Sequence, residues 1–293
     1  MRFAYYPGCS LHSTAVEFDI STRAVAPLLG IELVEIPNWV CCGASPTHQR
    51  DSILSYALAV ANFNKAELVN EQIGVQCASC YNNLRRALFE LHHSDEIKKK
   101  VEKVAGLDFG NNVQVFHLLD VFRNQIGLEA IKEKVTHPLK GLNVAAYYGC
   151  LLTRPPAAVA FDDPEWPTSM DDILQTCGAT MVDWPYKTEC CGASLALSRT
   201  DVVQKLSHDI LKMAKTHGAD CIAVACPLCH SNLDLRQKSI EKKFAENLEL
   251  PIFYYTQLMG LAFGLSGKEL GLDKLIVNPW KLLEEKGIGS KKS

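Results

Sequence analysis

Short apolar runs alternate with longer stretches of helical spacing, and the whole alternation occurs twice along the chain. Phe3 to Tyr6 predicts a strand ending at Cys9. Thr14 to Leu29 has helical spacing and stops at Gly30. Ile31 to Ile36 predicts a second strand that leads to Cys41 and Cys42. Ser52 to Val69, rich in Ala and Leu, predicts a long helix. Ile73 to Gln76 predicts a third strand running into Cys77, and Tyr81 to His92 sets Leu84, Leu88 and Leu91 on one helical face.

The second half repeats the order. Asn143 to Tyr148 predicts a strand before Cys150, and Ser169 to Thr176 a short helix closed by Gly178. Thr180 to Trp184 predicts a strand before Cys190 and Cys191. Asp201 to Lys215 predicts a helix with Leu206, Ile210 and Met213 on its apolar side. Cys221 to Ala225 predicts a strand before Cys226, and Ser231 to Phe244 a helix. Strands alternating with helices predict an α/β fold: two pseudo-symmetric repeats, mostly parallel strands and flanking helices. His137, Pro138 and Gly141 interrupt the pattern, so the expected domains are 1–138 and 143–293. Asp95 to Lys103 is a charged run, read as a solvated face or an insertion. Lys281 to Ser293 is polar and charged, and is expected to form a loose tail or an arm that orders on a partner.

Composition changes the picture little. The chain has 293 residues, 47% of them hydrophobic, with a net charge of −3. That is enough for two sizeable cores and gives no electrostatic case for nucleic-acid binding. No apolar stretch approaches the length of a membrane span. The N-terminal segment lacks the apolar region and cleavage site of a signal peptide, which predicts a cytoplasmic protein.

Twelve cysteines change it more. Ten fall into two sets in the same order: Cys9, Cys41-Cys42-Gly43, Cys77-x-x-Cys80, and then Cys150, Cys190-Cys191-Gly192, Cys226-x-x-Cys229. In both sets 34 residues separate the doublet from the C-x-x-C, whereas the preceding gap is 31 residues in one and 39 in the other. A repeat that keeps its cysteines and lets its loops drift is a repeat of metal sites. A reducing compartment disfavours a disulfide scaffold. Five thiols per set are more than tetrahedral zinc requires, and adjacent cysteines are uncommon in zinc sites. They suit an iron–sulfur cluster of unusual shape, or a four-ligand cluster with one spare thiol. The glycines after each doublet are expected to let the backbone approach a bulky inorganic body.

These motifs resemble the cysteine-rich CCG pattern of heterodisulfide reductase B subunits from methanogenic archaea, over essentially the whole length. The pattern also occurs in iron–sulfur subunits of glycolate and lactate oxidation, anaerobic glycerol-phosphate dehydrogenases and thiol:fumarate reductases. The resemblance implies two noncubane [4Fe–4S] clusters. Cys9, Cys41, Cys42, Cys77 and Cys80 would hold the first, and Cys150, Cys190, Cys191, Cys226 and Cys229 the second. It implies reduction of the coenzyme M–coenzyme B disulfide, the substrate lying between the clusters and each cluster delivering one electron and taking one sulfur. Implied partners are an iron–sulfur C subunit and a flavin-containing A subunit, with a hydrogenase or formate dehydrogenase as a further candidate. Two other classes remain open: an electron-transfer subunit of a 2-hydroxy-acid oxidoreductase, and a zinc-stabilised assembly protein.

Candidate residues outside the ligand sets are few. His12 and His48 lie near the cluster loops and are candidate proton donors, each set against the plainer role of a loop histidine. Arg154, Lys187 and Arg50 are candidate anion ligands. Cys177 and Cys221 read as small core residues. His230 reads as a helix-start packing residue rather than a donor to a cluster.

Overall fold

Phe3 to Tyr6, Val144 to Tyr147 and Cys221 to Val224 become strands buried along their length, as inner strands of parallel sheets covered on both faces are. The computed structural model describes residues 1–289 apart from 45, 46, 48, 49, 111 and 160. In the first half β1 (Arg2–Tyr6), β2 (Glu32–Glu35), β3 (Gln72–Val75) and β4 (Gln114–His117) form one sheet in the order β2-β1-β3-β4. In the second, β5 (Asn143–Tyr147), β6 (Thr180–Met181), β7 (Cys221–Val224) and β8 (Ile252–Tyr254) take the order β6-β5-β7-β8. Every pairing is parallel, so all C-terminal strand ends of a sheet face the same way. The expected α/β class and twofold repeat are both present.

Local chemistry fixes the helices. Asp51 caps the helix Ser52–Ala66 by accepting from the Leu54 N–H at 3.1 Å. Ser94 caps Asp95–Ala105 in the same way, and Gly106 closes it in the left-handed conformation. That helix buries only Val101 fully, so the charged run does present a solvated face.

Four readings of the pattern need correction. The strand expected at Thr180 to Trp184 is only Thr180–Met181. The Trp184 indole instead turns inward and donates to the Ala146 carbonyl at 3.1 Å. The single helix expected at Ser231 to Phe244 is broken by a π turn over Ser231–Leu235. That turn buries Asn232, Leu233 and Asp234 together, and the Asp234 carboxylate takes the N–H groups of Ile276 and Val277. β4 and β8, absent from that pattern, complete the two sheets. Finally, the loose tail holds a helix, Trp280–Lys286, with Leu283 fully buried and Lys286 Nζ 2.8 Å from Asp220.

The halves interlock. The Phe18 ring stacks on Tyr254 with centroids 4.0 Å apart, and the Ser21 and Thr256 hydroxyls meet at 2.7 Å. Tyr81 donates to the Val159 carbonyl, and Asn82 to the carbonyls of Leu151 and Arg154. Among the described residues no helix is long and apolar enough to cross a membrane.

Candidate metal centre

Parallel strands deliver their loops to one end of the sheet, and strand order reverses between the first and third strands of each half. Open α/β sheets bind ligands at that switch point. Cys9 follows β1, the Cys41-Cys42 doublet follows β2, and Cys77 follows β3. Cys150, Cys190-Cys191 and Cys226 follow β5, β6 and β7 in turn. Cys77 is also the N-cap of the helix Ala78–His93, its Sγ accepting the Cys80 N–H at 3.5 Å. The exposed amides and the helix dipole favour a thiolate there, but the Cys226 thiol and burial outweigh them.

Within each half the thiols touch. Cys42 Sγ lies 3.2 Å from Cys80 Sγ, and Cys191 Sγ lies 3.6 Å from Cys229 Sγ. The Gly43 N–H points at Cys41 Sγ from 3.5 Å, and the Gly192 N–H at Cys190 Sγ from 3.3 Å. Cys41 pushes the Cys9 thiol up, and Cys190 does the same to Cys150. The two halves approach at Cys77 and Cys226, whose thiols act on each other, pushing Cys77 up and pulling Cys226 down. The two sets thus approach one another along a seam at Cys77 and Cys226. Thiol donors from Cys42 and Cys9 pull Cys41 well below the ordinary thiol range, and Cys229 and Cys77 do the same for Cys226. Cys77 and Cys80 are pushed up, each by a thiol partner first and burial after it.

The groups beneath the thiols repeat as faithfully as the thiols. Tyr6 donates to the Val40 carbonyl, just before one doublet, at 2.8 Å; Tyr147 donates to the Glu189 carbonyl, just before the other, at 2.7 Å. Asn83 and Asn232, each three residues past a C-x-x-C, donate to the carbonyls of Cys42 and Cys191. Both asparagines escaped the sequence reading, although the shared C-x-x-C-x-x-Asn spacing is visible in it. The glycine reading is also corrected. A Cβ on Gly43 or Gly192 would press on the neighbouring helices, 3.1 Å from Leu58 or Leu206, not on the thiols. The glycines that hug sulfur are Gly8 and Gly149, where a Cβ would stand 3.0 Å from Cys80 Sγ and 3.1 Å from Cys229 Sγ.

The other candidates separate. His12 sits at the exposed rim beside Cys9, with Nε2 3.3 Å from Glu35 and its ring edge-on to Trp39. His48 lies outside the described residues. Arg154 binds Glu165 and Thr188 and keeps Nε buried without a partner. Arg50 is exposed. Lys187 is withdrawn as an anion ligand, because its buried ammonium is held by Asp171 at 2.8 Å and faces the Trp166 ring. Cys177 and Cys221 are fully buried core residues, and His230 stacks on Tyr254 and bonds the Ile252 carbonyl. All three follow the plainer reading. A cavity of about 490 Å³ opens at the other end of the second sheet, lined by Asp220, Glu241 and Glu249 among others, and is not part of this centre.

The family model of the cysteine-rich CCG domain matches residues 3–85 and again residues 144–234. The chain belongs to the CCG family. It is 34% identical over 283 residues to the 8-methylmenaquinol:fumarate reductase membrane anchor subunit of Wolinella succinogenes, covering 96% of this chain and 99% of that one. It is 30% identical over 279 residues to the B subunit of the ferredoxin/F(420)H(2)-dependent CoB-CoM heterodisulfide reductase of Methanosarcina acetivorans, covering 93% of each. The resemblance drawn from the CCG motifs is thereby borne out. A crystal structure of a hypothetical protein from Helicobacter pylori shares the fold, with a TM-score of 0.74 at 13% identity. The CCG chain is covered to 94% in that match and spans about half of the larger structure, 52%.

Proposed function

We propose that the chain is an iron–sulfur redox subunit of a larger complex that reduces the coenzyme M–coenzyme B disulfide to its two thiols. The observation that carries this is the thiol contact that joins doublet to C-x-x-C in each half, Cys42 with Cys80 and Cys191 with Cys229. The donor set fits the cofactor: thiolates are the usual ligands of such clusters, and Gly8 and Gly149 leave open the space a side chain would take from them. Cys9, Cys41, Cys42, Cys77 and Cys80 would hold one noncubane [4Fe–4S] cluster, and Cys150, Cys190, Cys191, Cys226 and Cys229 the other. When bound, such clusters supply electrons one at a time, and cleaving one disulfide takes two electrons and two protons. The chain's own residues then hold and screen the site. Tyr6, Tyr147, Asn83 and Asn232 fix the loops that carry the doublets. His12, beside Glu35 at the rim, would carry a proton inward, and the part-exposed Arg154 guanidinium would exchange Glu165 for an anionic group of the substrate. Electrons would come from a partner iron–sulfur subunit fed by a flavin subunit.

The test begins with anaerobic reconstitution, expected to give about four irons and four sulfides per cysteine set. Reduced viologen should then drive release of both thiols from the mixed disulfide. Zinc in place of iron would defeat the reading at the first step.

The Wolinella relative favours a second reading, since its identity extends over 99% of that subunit. On it, the same two centres pass electrons within a menaquinol-linked fumarate reductase complex. Menaquinol oxidation by the assembled complex, with no thiol released from the disulfide, selects it.

A further inference from the structure

The seam is not symmetric where it closes. The residue before Cys77 is Gln76, whereas the residue before Cys226 is Ala225. Gln76 is fully buried and held on three sides. Its Nε2 donates to Thr22 Oγ1 at 2.6 Å, and its Oε1 accepts from the Tyr255 hydroxyl at 2.8 Å. Its carbonyl accepts from His117 Nε2 at 2.8 Å.

His117 ends β4 and is also fully buried. Its Nδ1 accepts the Leu119 N–H at 3.2 Å, so in the neutral ring Nε2 carries the hydrogen. The Ala225 carbonyl faces the same ring and favours its charged form. One imidazole therefore bonds the carbonyl that directly precedes Cys77 and faces the one that directly precedes Cys226. The second repeat has no counterpart. In register, Val75 pairs with His117 and Val224 with Tyr254, and the buried Tyr254 hydroxyl has no hydrogen-bond partner.

We propose that His117 is a positioning residue that, braced by Gln76, sets the distance between the two cysteine sets and so the electronic contact between whatever they hold. A buried carbonyl that loses its donor must move to find another, and each of these two carbonyls is one residue from a ligand position. The spectroscopic consequence rests on the cluster reading above; the geometric one does not.

The test compares the full-length wild type with His117→Phe, which keeps a ring and loses the N–H, and His117→Asn, which restores an amide N–H. In the metal-free chain, diamide takes one hydrogen from each of two thiols, and the Cys77–Cys226 linked peptide pair is quantified by mass spectrometry. The link should form several-fold more slowly in H117F and recover in part in H117N. In the loaded chain, the magnetic splitting between the two centres should weaken in H117F at unchanged iron content. Should circular dichroism show H117F unfolded, Tyr255→Phe decides, since it removes only one bond from Gln76 and should slow the link in the same direction. An unchanged linking rate in the folded variants overturns the proposal, as does slowing that H117N fails to relieve. Absence of iron from the wild type would defeat the cluster reading while leaving the linking comparison intact.

Discussion

Asn83 Nδ2 donates to the carbonyl of Cys42 at 2.6 Å, and its Oδ1 accepts from the Ser55 hydroxyl at 3.1 Å. The amide thereby ties the first doublet to the helix behind it. Replacing Asn83 with Ala strands a buried carbonyl and a buried hydroxyl, for a loss of about 2 kcal/mol in chemical unfolding. Iron in the reconstituted protein should fall toward half, because the second set keeps Asn232. Asn232→Ala should spare the first set in turn. Retention of full iron in both variants would remove the asparagines from the site.

Gly8 has a φ of +75°, and a Cβ there would stand 3.0 Å from Cys80 Sγ. Gly8→Ala should cost roughly 1–2 kcal/mol in backbone strain and displace Cys80 from its place. Gly106→Ala is the control, at φ +65° with open space around it. Both variants should lose stability, but only G8A should lose iron. Iron and labile-sulfide analysis of the pair separates strain from crowding of the thiol.

Lys187 and Asp171 form a buried ion pair at 2.8 Å, and the Tyr148 hydroxyl donates to the other carboxylate oxygen at 2.7 Å. Removing one charge leaves the other uncompensated, so Lys187→Met should destabilise by roughly 3–5 kcal/mol. The double variant Lys187→Met, Asp171→Leu should recover a large part of that. A substrate-binding lysine behaves differently: its loss raises KM and leaves the unfolding midpoint in place. Unfolding curves for the two variants decide between these roles.

Burial lowers the pKa of His117 from 6.5 to about 4. The unfolded chain therefore takes up a proton on this residue between pH 6.5 and 4, and the folded chain does not. Its folded-state pKa is depressed, so stability is fully present above about 6.5 and drains away as pH falls toward 4. Between pH 7 and pH 5 the wild type should lose about 2 kcal/mol more than His117→Phe in urea unfolding of the metal-free chain. Parallel pH profiles for the two proteins would show that the ring is already charged in the fold.

Much of this was visible in the chain. Strands such as Asn143–Tyr147 are apolar enough to announce themselves, and the helix at Ser169–Thr176 matches its expected span. The ten thiols were marked by spacing alone. What escaped notice depended on contacts between distant residues. β8 has three residues, and its place is set by pairing with β7. The Trp280–Lys286 helix looks like a polar tail until Leu283 and Ile288 are seen to be buried. Lys187 stood out for its nearness in sequence to Cys190, but nearness says nothing about direction, and its ammonium turns toward Asp171. Gln76 and His117 carry no local signal, since their partners come from the opposite half of the chain or the far strand of their own.

The Phe18–Tyr254 stack and the Ser21–Thr256 bond lie deep inside the molecule. A fragment cut after the first repeat would bare a flat aromatic face and a row of small residues to water, and the remaining piece would bare their complement. Duplication in the sequence is therefore no guide to autonomy: the two pieces should be insoluble apart and rescue one another when made together.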